Sequence, residues 1–210
     1  MQRTFYLWDM ANTLFPEKWN EEKSGFENYD AYVKFLGYDL KTISPKNYEW
    51  AYEVPYKQGL FVLTVAKGFQ EVLNWAKENY AFTTGNKKQI DWRAENFLTR
   101  YGFDIRDYFK QIHTTFDYGN TNKKTVEMLV DILKKKSNEG YTAAVYTDDK
   151  PANCQFFLKA IDAAKKQGIE FKARVYNMKN DKSDLKKDSK RYYEIGNLLQ
   201  LLANEKSLAK

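Results

Sequence analysis

Four places in this 210-residue chain carry side chains that could do chemistry together. A short aromatic run, Phe5-Tyr6-Leu7-Trp8, ends at Asp9, and Thr13 follows four residues later in a turn-prone segment. Thr83-Thr84-Gly85 closes a second apolar run, Lys123-Lys124 lie beyond a third, and Asp148-Asp149 end a fourth. Taken alone, Asp9 is only a turn or N-cap carboxylate after an ordinary strand. Together the four describe something more specific. Carboxylates at 9 and 148–149 repel unless a cation or an ammonium lies between them. Oxygen ligands with room for water suit magnesium. A threonine hydroxyl, the backbone N–H groups after it and a lysine make a cradle for an anion. A carboxylate nucleophile beside such a cradle suits a phosphoryl group.

Strands and helices must alternate to bring these segments to one place, and the sequence reads that way. Phe69, Val72, Leu73, Ala76 and Tyr80 repeat at helical spacing, giving a helix over 67–79, and 80–84 read as a strand cut off by Gly85-Asn86. Ile90, Ala94, Phe97, Leu98 and Tyr101 mark a helix that Gly102 closes, and 111–115 form a third short strand before a Gly/Asn-rich turn over 118–122. Val126, Leu129, Val130 and Leu133 define the next helix. Residues 141–147 are a near-continuous apolar run, as in a strand buried on both faces. A helix follows Pro151, and 171–178 supply another strand. The charged stretch 179–190 reads as a loop, and Ile195, Leu198, Leu199 and Leu202 as a last amphipathic helix.

Such alternation means βαβ units and a three-layer, Rossmann-like α/β fold with a parallel sheet. Parallel strands put their carboxyl ends on one rim, where ligands collect, so all four polar segments face the same side. Residues 16–56 break the pattern. They are polar and aromatic, with one helix over 28–36 and another opened by Ser44-Pro45 and ended by Pro55. The expected organisation is a core of residues 1–15 and 57–210, with a small, mostly helical cap over 16–56 inserted after the first strand.

Composition narrows the function classes. The net charge of +6 invites an anionic partner, but the lysines are spread along the chain as on a solvated surface, so nucleic-acid binding is the lesser reading. A single cysteine, Cys154, excludes an intramolecular disulfide and points to a reducing cytoplasm. With one histidine, His113, it leaves too few soft ligands for structural zinc, and His113 itself is expected to be structural. The N-terminus lacks a signal-like pattern, and no apolar run approaches membrane-spanning length. The chain has neither a G-x-G-x-x-G nor a P-loop fingerprint, which argues against a dinucleotide or NTP enzyme.

In order and spacing the polar segments resemble the motifs of the haloacid dehalogenase-like (HAD) superfamily of hydrolases, mostly phosphatases, over nearly the whole chain. Trp8-Asp9-Met10-Ala11-Asn12-Thr13-Leu14 is similar to the first motif, and Phe82-Thr83-Thr84-Gly85 to the second. Residues 102–115 are similar to the approach to the third motif, the lysine, and Val145-Tyr146-Thr147-Asp148-Asp149-Lys150-Pro151-Ala152-Asn153 to the acidic fourth. The resemblance implies that Asp9 is the nucleophile and a Mg2+ ligand, with the backbone carbonyl of Ala11 as a second ligand. Asp149 would be a third, preferred to Asp148 close by because Asn153 sits four residues after it. Thr83 and the N–H of Thr84, with Gly85, would hold the phosphoryl oxygens. Lys124 would neutralise developing charge, with Lys123 nearly as good and helical phasing unable to separate them. The implied activity is a magnesium-dependent phosphatase acting on a phosphorylated small molecule through an aspartyl-phosphate.

One departure stands out. Family phosphatases usually carry a second Asp two residues after the nucleophile, as general acid and base, and this chain has Ala11. General acid–base help is typically worth roughly 10²–10⁴ in rate. The alternative is therefore a catalytically degenerate member with a binding or regulatory role.

Overall fold

The computed structural model describes residues 2–119 and 123–208. In chain order its strands are β1 (Thr4–Trp8), β2 (Glu17–Trp19), β3 (Phe61–Leu63), β4 (Asn79–Thr83), β5 (Gln111–Thr114), β6 (Ala143–Asp148), β7 (Lys172–Met178), β8 (Lys186–Lys187) and β9 (Tyr192–Ile195). The helices are α1 (Glu21–Ser24), α2 (Tyr29–Phe35), α3 (Pro45–Lys57), α4 (Phe69–Ala76), α5 (Lys87–Tyr101), α6 (Val126–Asn138), α7 (Pro151–Lys165) and α8 (Leu198–Leu208). No described helix is long and apolar enough to cross a membrane.

Seven strands form one sheet in the order β5-β4-β1-β6-β7-β9-β8. All its pairings are parallel except that of β8 with β9. β1 runs near the middle, and its alternate side chains feed two separate cores. Tyr6 and Trp8 pack on one face with Ala81, Val145 and apolar residues of α4, α5 and α8. Phe5 and Leu7 pack on the other with Phe82, Tyr146 and residues of α6 and α7. That is the expected three-layer α/β arrangement, and it explains why β4 and β6 are buried at every position. Helices α5, α6 and α7 begin just beyond the carboxyl ends of the strands. Their starts are set by an Asn86–Gln89 capping box, by Thr125 as N-cap and by Pro151 in the first turn.

Between β1 and β4 the chain leaves the sheet. β2 and β3 pair antiparallel, and α1, α2 and α3 lie between them in sequence around a small cluster of Tyr32, Val33, Ala51 and Leu60. The outgoing and returning segments run side by side, because Thr64 N donates to Pro16 O and Ala66 N to Leu14 O, at 2.9 and 3.0 Å. These two short strands leave no sign in the sequence.

Three local expectations need correction. Pro55 does not end its helix. It sits within the last turn of α3, where it removes one hydrogen bond but keeps a helical φ, and the buried Ala51 and Tyr56 on either side hold the turn in place. Ile195 belongs to β9, and the last helix starts only at Leu198. The stretch 179–190 is not wholly loop, since β8 lies within it and pairs with β9. Gly196 makes this turn feasible, because a Cβ there would collide with the backbone carbonyl of Ser183 and come within 2.8 Å of that of Asp181. Of the turn expected over 118–122, residues 120–122 lie outside the described residues.

Candidate active site

Asp9 follows the last residue of β1. Its N–H donates to Thr147 O at 2.8 Å, which prolongs the β1–β6 ladder and sets Asp9 level with Asp148. On the other side Trp8 pairs with Ala81, so Thr83 stands at the same rim on β4. The two strands therefore carry a nucleophile candidate and an anion-cradle candidate side by side.

Lys124 ties the rim together. Its ammonium is fully buried and donates to Asp9 Oδ1 at 2.6 Å, to Asp148 Oδ2 at 2.7 Å and to the Tyr146 hydroxyl at 3.3 Å. Of the two lysines that helical phasing leaves open, Lys123 is exposed and Lys124 is the one buried against Asp9 and Asp148. Thr13 Oγ1 donates to Asp9 Oδ2 at 3.1 Å, and each oxygen of the Asp9 carboxylate thus has a fixed donor. Thr83 is buried, and its hydroxyl accepts from Gly85 N at 3.4 Å.

Asp148 is fully buried and well supplied with donors. Beyond Lys124, it accepts from Tyr146 OH at 2.6 Å, Lys150 N at 2.9 Å and Asn153 Nδ2 at 3.1 Å. The sequence pairs Asn153 with Asp149, but its amide turns back onto Asp148, because α7 starts at Pro151 and its first turn faces the strand end. Asn177, level with Asp148 on β7, donates to the backbone carbonyls of both Asp148 and Asp149, at 3.1 and 3.0 Å.

Charge is unevenly balanced here. Burial pushes the Asp9 carboxyl up to about 7, with Asp148 and Asp149 adding to the effect and Lys124 opposing it. Burial and the neighbouring Asp148 push Asp149 up to about 6. Burial would raise Asp148 too, but Lys124 and the other donors outweigh it and hold that carboxyl below its ordinary range. Three carboxylates thus share the rim with the one buried ammonium of Lys124, and Lys150 adds its attraction only at Asp149. One oxygen from each of Asp9, Asp148 and Asp149 lies within 4.8 Å of the others. This donor set fits a hard divalent cation. Ala11 stands at the start of the turn beside it, half-buried and bridged to Phe15.

No family model matches the chain, and no curated protein matches it in sequence. Solved structures do match. The UTR4 protein of Saccharomyces cerevisiae superposes with a TM-score of 0.53 at 15% identity, over 93% of this chain and 98% of that one. The HAD family enzyme BT-2542 of Bacteroides thetaiotaomicron does so with a TM-score of 0.52 at 16% identity, over 88% and 97%. Its complex with magnesium and inorganic phosphate gives 0.51 at 16% identity, over 88% and 98%. The chain has the haloacid dehalogenase-like fold.

Within this HAD-like sheet the structure brings Asp9, Lys124, Asp148 and Asp149 together, sets Thr83 on the adjoining strand end, and leaves Lys123 outside. It also adds Tyr146, which the sequence reading passes over. Period-two alternation places Tyr146 on the same side of β6 as Asp148, so the signal was present. Tyr146→Phe removes a donor from Asp148 and an acceptor from Lys124 while keeping the ring. It should cost about 2 kcal/mol in urea unfolding. His113 is buried as expected of a structural residue, with its Nδ1 3.1 Å from the Tyr118 hydroxyl, and burial brings its pKa down to about 4.

Proposed function

We propose that this chain is a magnesium-dependent phosphatase that acts on a phosphorylated small molecule through an aspartyl-phosphate. The observation that carries the reading is the buried Lys124 ammonium held between Asp9 and Asp148 on the carboxyl rim of the sheet. Asp9 attacks phosphorus, and the bond from phosphorus to the leaving oxygen breaks as the new one forms. Water then attacks the aspartyl-phosphate, which releases phosphate and restores the carboxylate. Thr13 and Lys124 fix the carboxylate for that attack, and Lys124 offsets the charge that develops on the phosphoryl oxygens. The Thr83 hydroxyl and the N–H groups of Thr84 and Gly85 hold those oxygens, and Lys123 lies at the edge of the site. Asp9 and Asp149, the backbone carbonyl of Ala11 and the adjoining Asp148 would hold magnesium. When bound, it supplies further neutralisation of phosphoryl charge. Residues 16–56 act as a small cap over this rim, and 1–15 with 57–210 as the core.

A screen of phosphate esters with and without magnesium tests the reading, which requires turnover that chelation abolishes. Magnesium binding itself should depend on pH. Without metal, Asp9 and Asp149 titrate near 7 and 6, both above the ordinary carboxylate value of 3.8. These raised values stabilise the metal-free fold at low pH, and that stability is lost as pH rises from the unfolded value through the folded ones. Magnesium needs both groups ionised. Its affinity should therefore rise about tenfold from pH 6 to 7 and level off above. Titration calorimetry in buffers of different ionisation enthalpy would show the released protons; a flat profile would exclude Asp9 as a ligand.

Ala11 favours a second reading, in which the same rim binds a phosphorylated ligand without turning it over.

A further inference from the structure

Beside the rim, two buried donors lack an acceptor. Arg93, on α5, is 4% exposed, and its Nε donates to Glu17 Oε1 at 2.6 Å. Its Nη1 is buried without a hydrogen-bond partner. The buried hydroxyl of Tyr56, whose ring centre is 5.9 Å from the Arg93 guanidinium carbon, completes no well-formed hydrogen bond either and stands only in loose reach of Glu17 and Arg93. A buried donor left unmatched costs about 1–3 kcal/mol, and native folds keep few. Two so close together call for an acceptor.

Their location says which kind. A Cβ on Gly85 would stand 3.2 Å from Arg93 Nη1, so this nitrogen faces the turn that holds the phosphoryl oxygens in the reading above. On the far side, Glu17 N donates to Asn12 Oδ1 at 3.2 Å, which fixes the ion pair between the Asp9 turn and the Thr83 turn. Glu17 is itself occupied, with Arg93 on one oxygen and the Tyr52 hydroxyl 3.4 Å from the other. A singly charged, planar carboxylate matches two remaining donors. A dianionic phosphate, with twice the charge, would be repelled by Glu17 more strongly than a carboxylate.

We propose that Arg93 and Tyr56 form a carboxylate subsite next to the phosphoryl site, so that the preferred substrates are small phosphorylated acids with the two groups a few bonds apart. The inference rests on the phosphoryl reading of Thr83 to Gly85, and its test separates the two. With saturating magnesium, titration calorimetry should give phosphonoacetate or 3-phosphonopropionate a Kd about tenfold or more below that of methylphosphonate. In Arg93→Gln that ratio should fall to about one. It should do the same in Glu17→Gln/Arg93→Gln, which removes both buried charges and guards against a misfolded single variant. Equal binding of the probes to the native chain would overturn the subsite alone, as would a preference that survives in the folded double variant. Failure of every probe to bind would overturn the phosphoryl reading and the subsite with it.

Discussion

Asp9→Asn is expected to abolish magnesium-dependent hydrolysis while leaving the fold at least as stable as the native chain at pH 8 without metal. Removing a covalent nucleophile whose neighbours act with it as a unit lowers rates by about 10⁴-fold or more. Asn cannot form the acyl phosphate, and its amide nitrogen cannot bind a hard cation. The stability half of the expectation follows from the electrostatics. Burial above all, with Asp148 and Asp149 beside it, makes the Asp9 carboxyl titrate near 7 in the fold, against an ordinary 3.8, so at pH 8 its ionised form stands there at a net cost. The asparagine oxygen keeps an acceptor for Lys124 and relieves that cost. Rate measurements and thermal melts of the same preparation check both halves. A variant that is folded and retains more than about a hundredth of the native rate would remove Asp9 from the nucleophile's place.

Ala11→Asp should move turnover the other way, by about 10²–10⁴-fold for alkyl phosphates. An alkoxide is a poor leaving group, and in the native chain it must find its proton in solvent. Position 11 is half-buried on the turn after Asp9, so a carboxyl there has room and lies at the rim rather than in the core. An aryl phosphate with an acidic phenol needs little protonation, and its gain should be much smaller. Steady-state rates on one alkyl and one aryl ester give the comparison. If the variant folds, binds magnesium and gains nothing on either, the chain is better read as a binding protein.

Both experiments lean on residues that were readable in advance, and the reason is geometric. Asp9, Thr83 and Asp148 end or directly follow strands covered on both faces, so apolar runs lead up to them and stop. Parallel alternation then assigns them to one rim without any structure. The lysine choice is different. Lys123 and Lys124 both precede Thr125, the N-cap of α6, where helical periodicity has not begun, and only the packed fold turns one of them inward. β2 and β3, at three residues each, are too short to show alternation. Tyr192 to Ile195 were hidden by the charged tract before them and by the leucines of α8 after them. The Glu17–Arg93 pair spans 76 positions and leaves no local trace.

The sheet closes at one side with β8, two exposed lysines set antiparallel against an otherwise parallel array. An open strand border is a template on which a second molecule can polymerise, and a short, positively charged one discourages it. Lys186 and Lys187 thus act as a stopper against fibre-like self-association.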